Sequence, residues 1–259
     1  MNAALLTAPN RLIAIGGAGA DQFTGGAGND AFRFTAANLG ALDTVAGGGG
    51  SDQLTLLSAG TVNPVGMKGV ETIALAGGGI NTLTLTDANF TGVTSATITV
   101  FGGANGNTVN AAATTGTHKL VFKGSAGADI VKPGTTATLT GGAGNNQFVI
   151  SAVGSHTITD FHLSAGNMLV LRDAGFNLGA VDDGHGTAVP QHLDASEFVA
   201  NATGAFTNMN QRFAYNTMTG NLRFDPDGNG PSPSSGLVAS LSDHAALSAG
   251  ATGNLFFVA

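Results

Sequence analysis

Near the start of the chain, apolar side chains recur in a fixed place between short polar turns. Two consecutive nine-residue blocks begin at Gly16 and Gly25, and in each block six small or polar residues precede a three-residue run centred on Phe23 or Phe32. A short run with one central apolar side chain predicts a strand whose central side chain faces inward. The glycine-rich residues before it predict a turn. The pattern therefore predicts a chain that bends after every short strand.

The same block recurs further along the chain. Blocks begin at Asn38 and Gly47, with Val45 and Leu54 in the apolar place, and residues 34–37 separate this pair from the first. Two more blocks lie downstream and begin at 124 and 141. Between the two clusters, the region of roughly 57–123 lacks the motif but contains short apolar runs separated by glycine and asparagine, at 70–76, 81–88, 95–102, 107–113 and 118–124. Their spacing of roughly ten to fourteen residues predicts coils of a solenoid rather than a sandwich.

The pattern changes after about residue 155. Asp194 is a candidate N-cap with Glu197 at the capping-box spacing, so a short helix is expected there. A hairpin with its turn at Thr219–Gly220 and a strand over 236–243 should follow. No convincing amphipathic helix precedes residue 190.

Composition narrows the protein class. Glycine accounts for 41 of the 259 residues, and 42% hydrophobic with 10% charged residues argues against disorder. The net charge is −7 and the 9 Lys and Arg residues form no cluster, which excludes nucleic-acid and anionic-membrane binding. The absence of cysteine excludes disulfides and thiolate metal sites. We expect no transmembrane segment and no cleavable signal, because no apolar run is long enough and no basic residue precedes the apolar N-terminal stretch.

The sixth residue of each block carries the candidate chemistry. It is Asp21, Asp30, Asp43 and Asp52 in the first four blocks, and Asp129 and Asn146 in the two downstream ones. Glycine turns direct carbonyl oxygens inward, and carboxylate plus carbonyl oxygens form a hard ligand set suited to Ca²⁺. One turn cannot supply six to eight oxygens, so an ion would lie between stacked turns. The alternative, an aspartate that only bonds its own turn, suits a single motif better than tandem blocks in register.

These tandem GGxGxD blocks closely resemble the RTX (repeats-in-toxin) family. The resemblance implies an all-β fold, a parallel β-roll or β-solenoid in which two blocks make one coil and an ion lies between turns one coil apart. Asp21 and Asp43 are 22 residues apart, as are Asp30 and Asp52, which corresponds to an eighteen-residue coil plus the four-residue insertion. Two paired Ca²⁺ sites are therefore predicted, and Asp129, which faces Asn146 across 17 residues, should bind more weakly.

Further ligands are predicted in the turns and in the C-terminal part. Asp160 stands in a segment similar to the family's closing segment, and Asn167 occupies a place where aspartate is common. Asp225 and Asp227 form either another calcium loop or an acidic loop between strands, and both interpretations stay open. The complete predicted metal set is Gly16, Ala18, Asp21, Gly25, Ala27, Asp30, Asp43, Gly47, Gly49, Asp52, Gly124, Ala126, Asp129, Asn146, Asp160, Asp225 and Asp227. The six histidines, at 118, 156, 162, 185, 192 and 244, have no metal-ligand spacing.

The resemblance also implies a domain order and a route of export. We expect an N-terminal segment at 1–11, the roll at 12–171, and a capping and type I secretion-signal region at 172–259 similar to the serralysin-type C-terminal domain. The apolar end "LFFVA" resembles an uncleaved export signal, although the acidic residue usual before it is missing. The type I secretion apparatus would be a partner, and the chain would fold on meeting calcium outside the cell.

The expected function is structural. The sequence contains no HExxH, GxSxG or GxxxxGK[ST] motif, so no catalytic role is predicted. A solenoid has open ends, and the apolar strand around Arg11–Ile15 could pair with another copy to build a filament, surface layer or matrix. The alternatives are a monomeric adhesin or ligand-binding module, including ice binding by threonine rows, and a secreted enzyme with an unrecognised site.

Overall fold

The computed structural model describes residues 1–162, 165–178, 191–231 and 235–258. His185 and parts of the predicted closing segment and C-terminal region lie outside these residues. The described chain is nearly all β, as predicted. Its strands are β1 (Ile13–Ile15), β2 (Gln22–Thr24), β3 (Ala31–Thr35), β4 (Thr44–Ala46), β5 (Gln53–Ser58), β6 (Thr61–Val62), β7 (Met67–Lys68), β8 (Thr72–Ala74), β9 (Asn81–Thr86), β10 (Thr97–Phe101), β11 (Asn107–Ala113), β12 (Lys119–Lys123), β13 (Ile130–Lys132), β14 (Thr136–Thr140), β15 (Gln147–Ile150), β16 (Ser155–Ile158), β17 (Met168–Arg172), β18 (Gln191–His192), β19 (Phe198–Asn201), β20 (Phe213–Asn216), β21 (Asn221–Phe224), β22 (Gly236–Leu241) and β23 (Leu255–Val258).

The strands wind into a parallel roll. One sheet has the order β1-β3-β5-β8-β10-β12-β14-β16-β22-β21-β20-β19, a second has the order β18-β23-β17-β15-β13-β11-β9-β6, and a third, shorter sheet has the order β2-β4-β7. From β1 to β17 every pairing within these sheets is parallel. The predicted parallel β-roll is therefore confirmed.

The register follows the spacing of the blocks. Ala31 lies beside Ile13, eighteen residues earlier, whereas Leu54 lies beside Phe32, 22 residues earlier. Of the four inserted residues, Phe34 and Thr35 extend β3 and the other two begin a 3₁₀ helix at Ala36–Asn38. The even number of inserted residues keeps Phe32 and Phe34 on the same face as Leu54 and Leu56, up to a bulge between Phe34 and Thr35.

The apolar side chain of each block faces the core, as its position predicts. Phe32 and Leu54 are fully buried, and Phe23 and Val45 are almost so. Phe23 stacks on Phe32 with ring centroids 6.3 Å apart. The core is continuous along the roll, because every coil contributes apolar side chains to the same cluster.

The middle of the chain forms coils, as the run spacing predicts. Its five apolar runs correspond to the strands β8 to β12, which join the first two sheets of the roll. The prediction of a solenoid rather than a sandwich is correct for this region.

The C-terminal part extends both long sheets. β22 pairs with β16 and β23 pairs with β17, both in parallel. The predicted hairpin is formed by β20 and β21, and its turn includes Thr219 and Gly220. The predicted helix near Asp194 is only a 3₁₀ turn, Ala195–Glu197, although Asp194 accepts a hydrogen bond from the N–H of Ser196 as an N-cap. It ends early because the following residues form β19 and pair with β20.

The residues before β1 cover part of the first coil. The N–H of Ala3 donates to the carbonyl of Thr24 (2.7 Å), and the N–H of Ala27 donates to the carbonyl of Leu6 (2.8 Å). This segment therefore pairs with the outer edge of β2, whereas no described strand pairs with the outer edge of β1. In the described part of the chain, no helix is long and apolar enough to cross a membrane.

Candidate metal centre

The glycine-rich turns stack directly on one another, one coil apart. We name each turn by its closing residue, so the Asp30 turn is residues 25–30 and the Asp52 turn is residues 47–52. The N–H of Gly49 donates to the carbonyl of Gly26 (2.8 Å), which holds the two turns together. Gly48 adopts φ of +104°, and a Cβ atom at this position would overlap the carbonyl oxygen of Gly26. Glycine is required there both for its backbone conformation and for the close approach.

Three carboxylates lie in a column through these turns. Oδ1 of Asp30 accepts the N–H of Leu12 (2.5 Å), and Oδ1 of Asp52 accepts the N–H of Asp30 (2.7 Å). Oε2 of Glu71 then accepts the N–H of Asp52 (2.8 Å). Asp30 and Asp52 are 2% and 1% exposed. Each carboxylate thus accepts a hydrogen bond from a backbone N–H of the coil before it.

Glu71 was not predicted from the sequence. Its position is what indicates its role, because Glu71 directly precedes β8 as Asp52 directly precedes β5, and Thr72 pairs with Gln53. It lacks the glycine-rich turn of the other blocks, so the motif did not identify it.

Among the described residues, the carboxylate of Asp52 receives fewer hydrogen bonds than the other two carboxylates of the column. Burial raises its pKa to about 6, and the nearby charges of Glu71 and Asp30 act in the same direction, against the N–H of Asp30, which lowers it. Among the described residues, no donor hydrogen-bonds its Oδ2. A buried carboxylate oxygen without a donor is costly unless a proton or a cation compensates it.

Oxygens of the kind that bind such a cation converge beside the first glycine of each turn. A Cβ atom at Gly25 would overlap both Oδ2 of Asp30 and the carbonyl oxygen of Gly47. A Cβ atom at Gly47 would likewise overlap Oδ2 of Asp52 and the carbonyl oxygen of Gly69. At each of these glycines, a carboxylate of its own turn therefore lies close to a carbonyl of the next coil. This is an all-oxygen donor set of the kind that Ca²⁺ takes.

Main-chain oxygens would have to supply most of the ligands. Within the described ranges, no three histidine or acidic side chains converge as a metal cluster. The predicted third-position residues, Ala18, Ala27, Gly49 and Ala126, all lie exposed at the tips of their turns. Calcium binding by the individual residues of the turns remains a proposal.

The Asp21–Asp43 pair is brought together but lacks this convergence of oxygens. Oδ1 of Asp43 accepts the N–H of Asp21 (2.7 Å), one coil away as predicted. Beside Gly16, however, a Cβ atom would overlap the ring of Phe34. Oδ2 of Asp21 receives Gly17 N–H (2.9 Å) and Oδ2 of Asp43 receives Gly40 N–H (2.6 Å), so neither oxygen is without a donor as Oδ2 of Asp52 is. An ion at this pair stays a prediction with less geometric support than one at Asp30 and Asp52.

The Asp129 turn (124–129) has the same convergence of oxygens as the Asp52 turn. A Cβ atom at Gly124 would overlap the carbonyl oxygen of Gly141. Oδ2 of Asp129 accepts no hydrogen bond within the described chain, and burial raises the pKa of this carboxyl. The N–H of Asp129 donates to Oδ1 of Asn146 (2.9 Å), so the predicted facing of these two residues is confirmed.

The middle region contains two degenerate blocks that the sequence analysis missed. The Asn81 turn (76–81) and the Asn107 turn (102–107) lie in the same column as the Asp129 turn, with asparagine in the place of aspartate. Residues 57–123 do lack the aspartate motif, but two of their turns take its structural position. The sequences "AGGGIN" and "GGANGN" resemble the GGxGxD motif, but each lacks one of its glycines and has asparagine in place of the aspartate.

Asp160 holds a turn rather than facing an open space. Its Oδ1 accepts the N–H of Gly141 and its Oδ2 accepts the N–H of Gly142, both at 2.7 Å. Its predicted role as a calcium ligand therefore remains a prediction. Asn167 continues the column, because its Oδ1 accepts the N–H of Asn146 (2.8 Å).

The Asp225–Asp227 loop lies apart from these turns. Asp225 is buried, its Oδ1 accepts the N–H of Asp227 (3.3 Å), and burial followed by the adjacent Asp227 raises its pKa. Two adjacent carboxylates are compatible with either interpretation of this loop, so calcium here remains a prediction.

Comparison with known proteins identifies the repeats. The family model of the RTX calcium-binding nonapeptide repeat matches in four copies, over residues 13–34 and 42–56. No curated protein and no solved structure matches the chain. The matched residues include Asp21, Asp30, Asp43 and Asp52. Residues 13–34 and 42–56 are therefore RTX calcium-binding nonapeptide repeats, and calcium is the ion that such repeats bind.

Proposed function

We propose that the Asp30 and Asp52 turns bind Ca²⁺ and that the ion completes the folding of the first coils. The carrying observation is the column of Asp30, Asp52 and Glu71, three carboxylates in successive coils with a buried, unbonded oxygen on Asp52. Within the described residues, no Lys or Arg forms an ion pair with this column. A cation bound by the oxygens that converge beside Gly25 and Gly47 would reduce the repulsion between these carboxylates.

Calcium stoichiometry tests this step. Asp52→Asn should lower the number of bound ions in native mass spectrometry and raise the calcium concentration needed for folding. Asp194→Asn is the matched control, because it removes one charge from an exposed capping position and keeps the capping oxygen. Unchanged stoichiometry and calcium requirement in Asp52→Asn would refute binding at this turn.

The same proposal includes export and an extracellular structural role. A chain whose carboxylate column needs calcium would stay loosely folded where calcium is scarce and fold where it is abundant. The C-terminal segment that resembles an export signal forms β23, and Leu255 is fully buried. Such a segment would be accessible to the type I apparatus only before folding. We propose a structural rather than catalytic use for the exported protein, in a filament, surface layer or matrix.

The open edge of β1 is the proposed assembly surface. The carbonyl of Leu12 and the N–H of Gly16 bond β3, so by alternation the N–H groups of Ile13 and Ile15 face away from the roll. Both isoleucines are exposed, at 47% and 65%. An apolar edge strand with free donors is a template for pairing with another chain.

A proline substitution tests the assembly step. Ile13→Pro should abolish large particles in light scattering with calcium present, because proline removes the outward donor while leaving the bonds to β3. Ile13→Ala keeps the donor and serves as the control. A wild-type protein that stays monomeric at high concentration with calcium would overturn assembly and favour a monomeric adhesin or ligand-binding module.

The strand register gives little support to ice binding, which is one form of the ligand-binding alternative. On the long sheet, Lys119 lies between Thr97 and Thr136, and Lys123 lies between Phe101 and Thr140. The outward threonines therefore do not form an unbroken array.

A further inference from the structure

The aspartate and asparagine turns place chemically different groups at the same position of the turn. Beside the first glycine of the Asp30, Asp52 and Asp129 turns, a Cβ atom would meet a carboxylate oxygen, whereas beside Gly102 and Gly141 it would meet the amide nitrogen of Asn107 and Asn146. One set of turns thus presents a charged acceptor at this point, and the other presents a neutral donor.

The amide groups bond the carbonyls of their own turns. Nδ2 of Asn107 donates to the carbonyl of Asn105 (2.9 Å) and to the carbonyl of Gly103 (3.1 Å). Nδ2 of Asn81 donates to the carbonyl of Ala76 (2.8 Å). An aspartate in these places has no donor to offer, so the carbonyls would face its charge uncompensated.

The asparagines also link successive coils. Nδ2 of Asn81 donates to Oδ1 of Asn107 (2.9 Å), and Nδ2 of Asn107 donates to Oδ1 of Asp129 (2.7 Å). Asn81, Asn107 and Asn146 are at most 1% exposed. This buried column is neutral apart from Asp129, whose Oδ1 also receives the N–H of Asn107 (2.7 Å). Hydrogen bonds to a carboxylate are strong, so this single charge is partly compensated by the protein itself.

We propose that the amides of Asn81, Asn107 and Asn146 take the place of the ion in their turns, so that these coils fold without calcium. The roll then has a calcium-dependent first section, which contains the Asp30 and Asp52 turns, and a calcium-independent section, which contains the asparagine turns. This inference rests on the proposed function for the first section alone. It refines the expectation of a roll that depends on calcium throughout.

Hydrogen exchange with mass spectrometry tests the division in the unmodified protein. In chelator, peptides of the Asp30 and Asp52 turns should exchange about tenfold faster or more than with calcium, while peptides over 76–86 and 102–113 keep their protection. Equal loss of protection in the asparagine turns would overturn the inference. The absence of any calcium effect on the aspartate turns would instead refute the proposed function, so the two failures are distinguishable.

A reciprocal substitution tests the role of the amide. Asn107→Asp should make the 102–113 region lose protection in chelator and regain it in calcium, with one additional ion in native mass spectrometry. Asn110→Asp is the control, since it adds the same charge nearby and keeps the acceptor for the N–H of Ala112. If Asn107→Asp leaves protection in chelator unchanged, the amide does not substitute for an ion. The exchange experiment on the unmodified protein decides the matter if the variant does not fold.

Discussion

The backbone N–H of Asp30 donates to Oδ1 of Asp52 at 2.7 Å, across one complete coil of the roll. This bond uses one oxygen of the Asp52 carboxylate to hold the coils in register and leaves Oδ2 beside Gly47 without a donor among the described residues. A single residue type thereby serves two purposes, because one oxygen fixes the stacking and the other is left for a cation. In the Asn107 and Asn146 turns, Oδ1 still fixes the stacking of the coils, but an amide nitrogen takes the place of the oxygen left for a cation.

Alanine at Asp30 should raise the calcium requirement more than alanine at Asp129. Asp30→Ala removes a carboxylate from a column of three and also removes the acceptor for the N–H groups of Leu12 and Gly26. Asp129 lies among neutral amides, so its turn has fewer charges for an ion to compensate. Circular dichroism during calcium titration measures the midpoints. A larger shift for Asp129→Ala would contradict this order.

Alanine at Gly48 should destabilise the calcium-loaded protein by about 1–3 kcal/mol, because the residue has positive φ and its Cβ would meet the carbonyl of Gly26. Gly17→Ala is a matched control in an equivalent turn position, since a Cβ there meets nothing within 4 Å. Thermal unfolding of both variants measures the difference. Equal melting temperatures would show that the stacked turns can separate without cost.

The hydrogen bonds of Asp87 with Thr115 and His118 should make a pH-dependent contribution to the stability of the folded protein. The backbone N–H and hydroxyl of Thr115, followed by His118 at 2.6 Å, lower the pKa of Asp87 from 3.8 to about 2. Because the folded pKa is the lower one, this contribution is present above about pH 4 and is lost as the pH falls through about 2. Asp87→Asn should lower the melting temperature at neutral pH by about 2–4 °C, on the scale of one hydrogen bond.

The difference between Asp87→Asn and the unmodified protein should shrink when the pH is lowered from 5 towards 2. Denaturation at a series of pH values measures it. A difference that stays constant over this range would show that the carboxylate charge of Asp87 contributes nothing.

The sequence by itself determined the coils and their register. The nine-residue spacing, the inward apolar side chains Phe32 and Leu54, and the 22-residue separation of Asp30 and Asp52 are all local properties of a repeat. Because each block folds like its neighbours and stacks only on them, reading one coil predicts the next. For the same reason the ion type followed from the turn residues before any contact was known.

Only the tertiary structure decided in which turns a carboxylate and a carbonyl oxygen converge. The ring of Phe34, rather than these oxygens, lies beside Gly16, although the Asp21 block matches the motif better than the Asp129 block does. Glu71 joins the carboxylate column without a glycine-rich turn, because its carboxylate accepts the N–H of Asp52 and the N–H of Thr94 in the folded chain. The role of Asn81 and Asn107 did not follow from their sequence, because an amide replaces an ion only when carbonyls of the folded turn surround it.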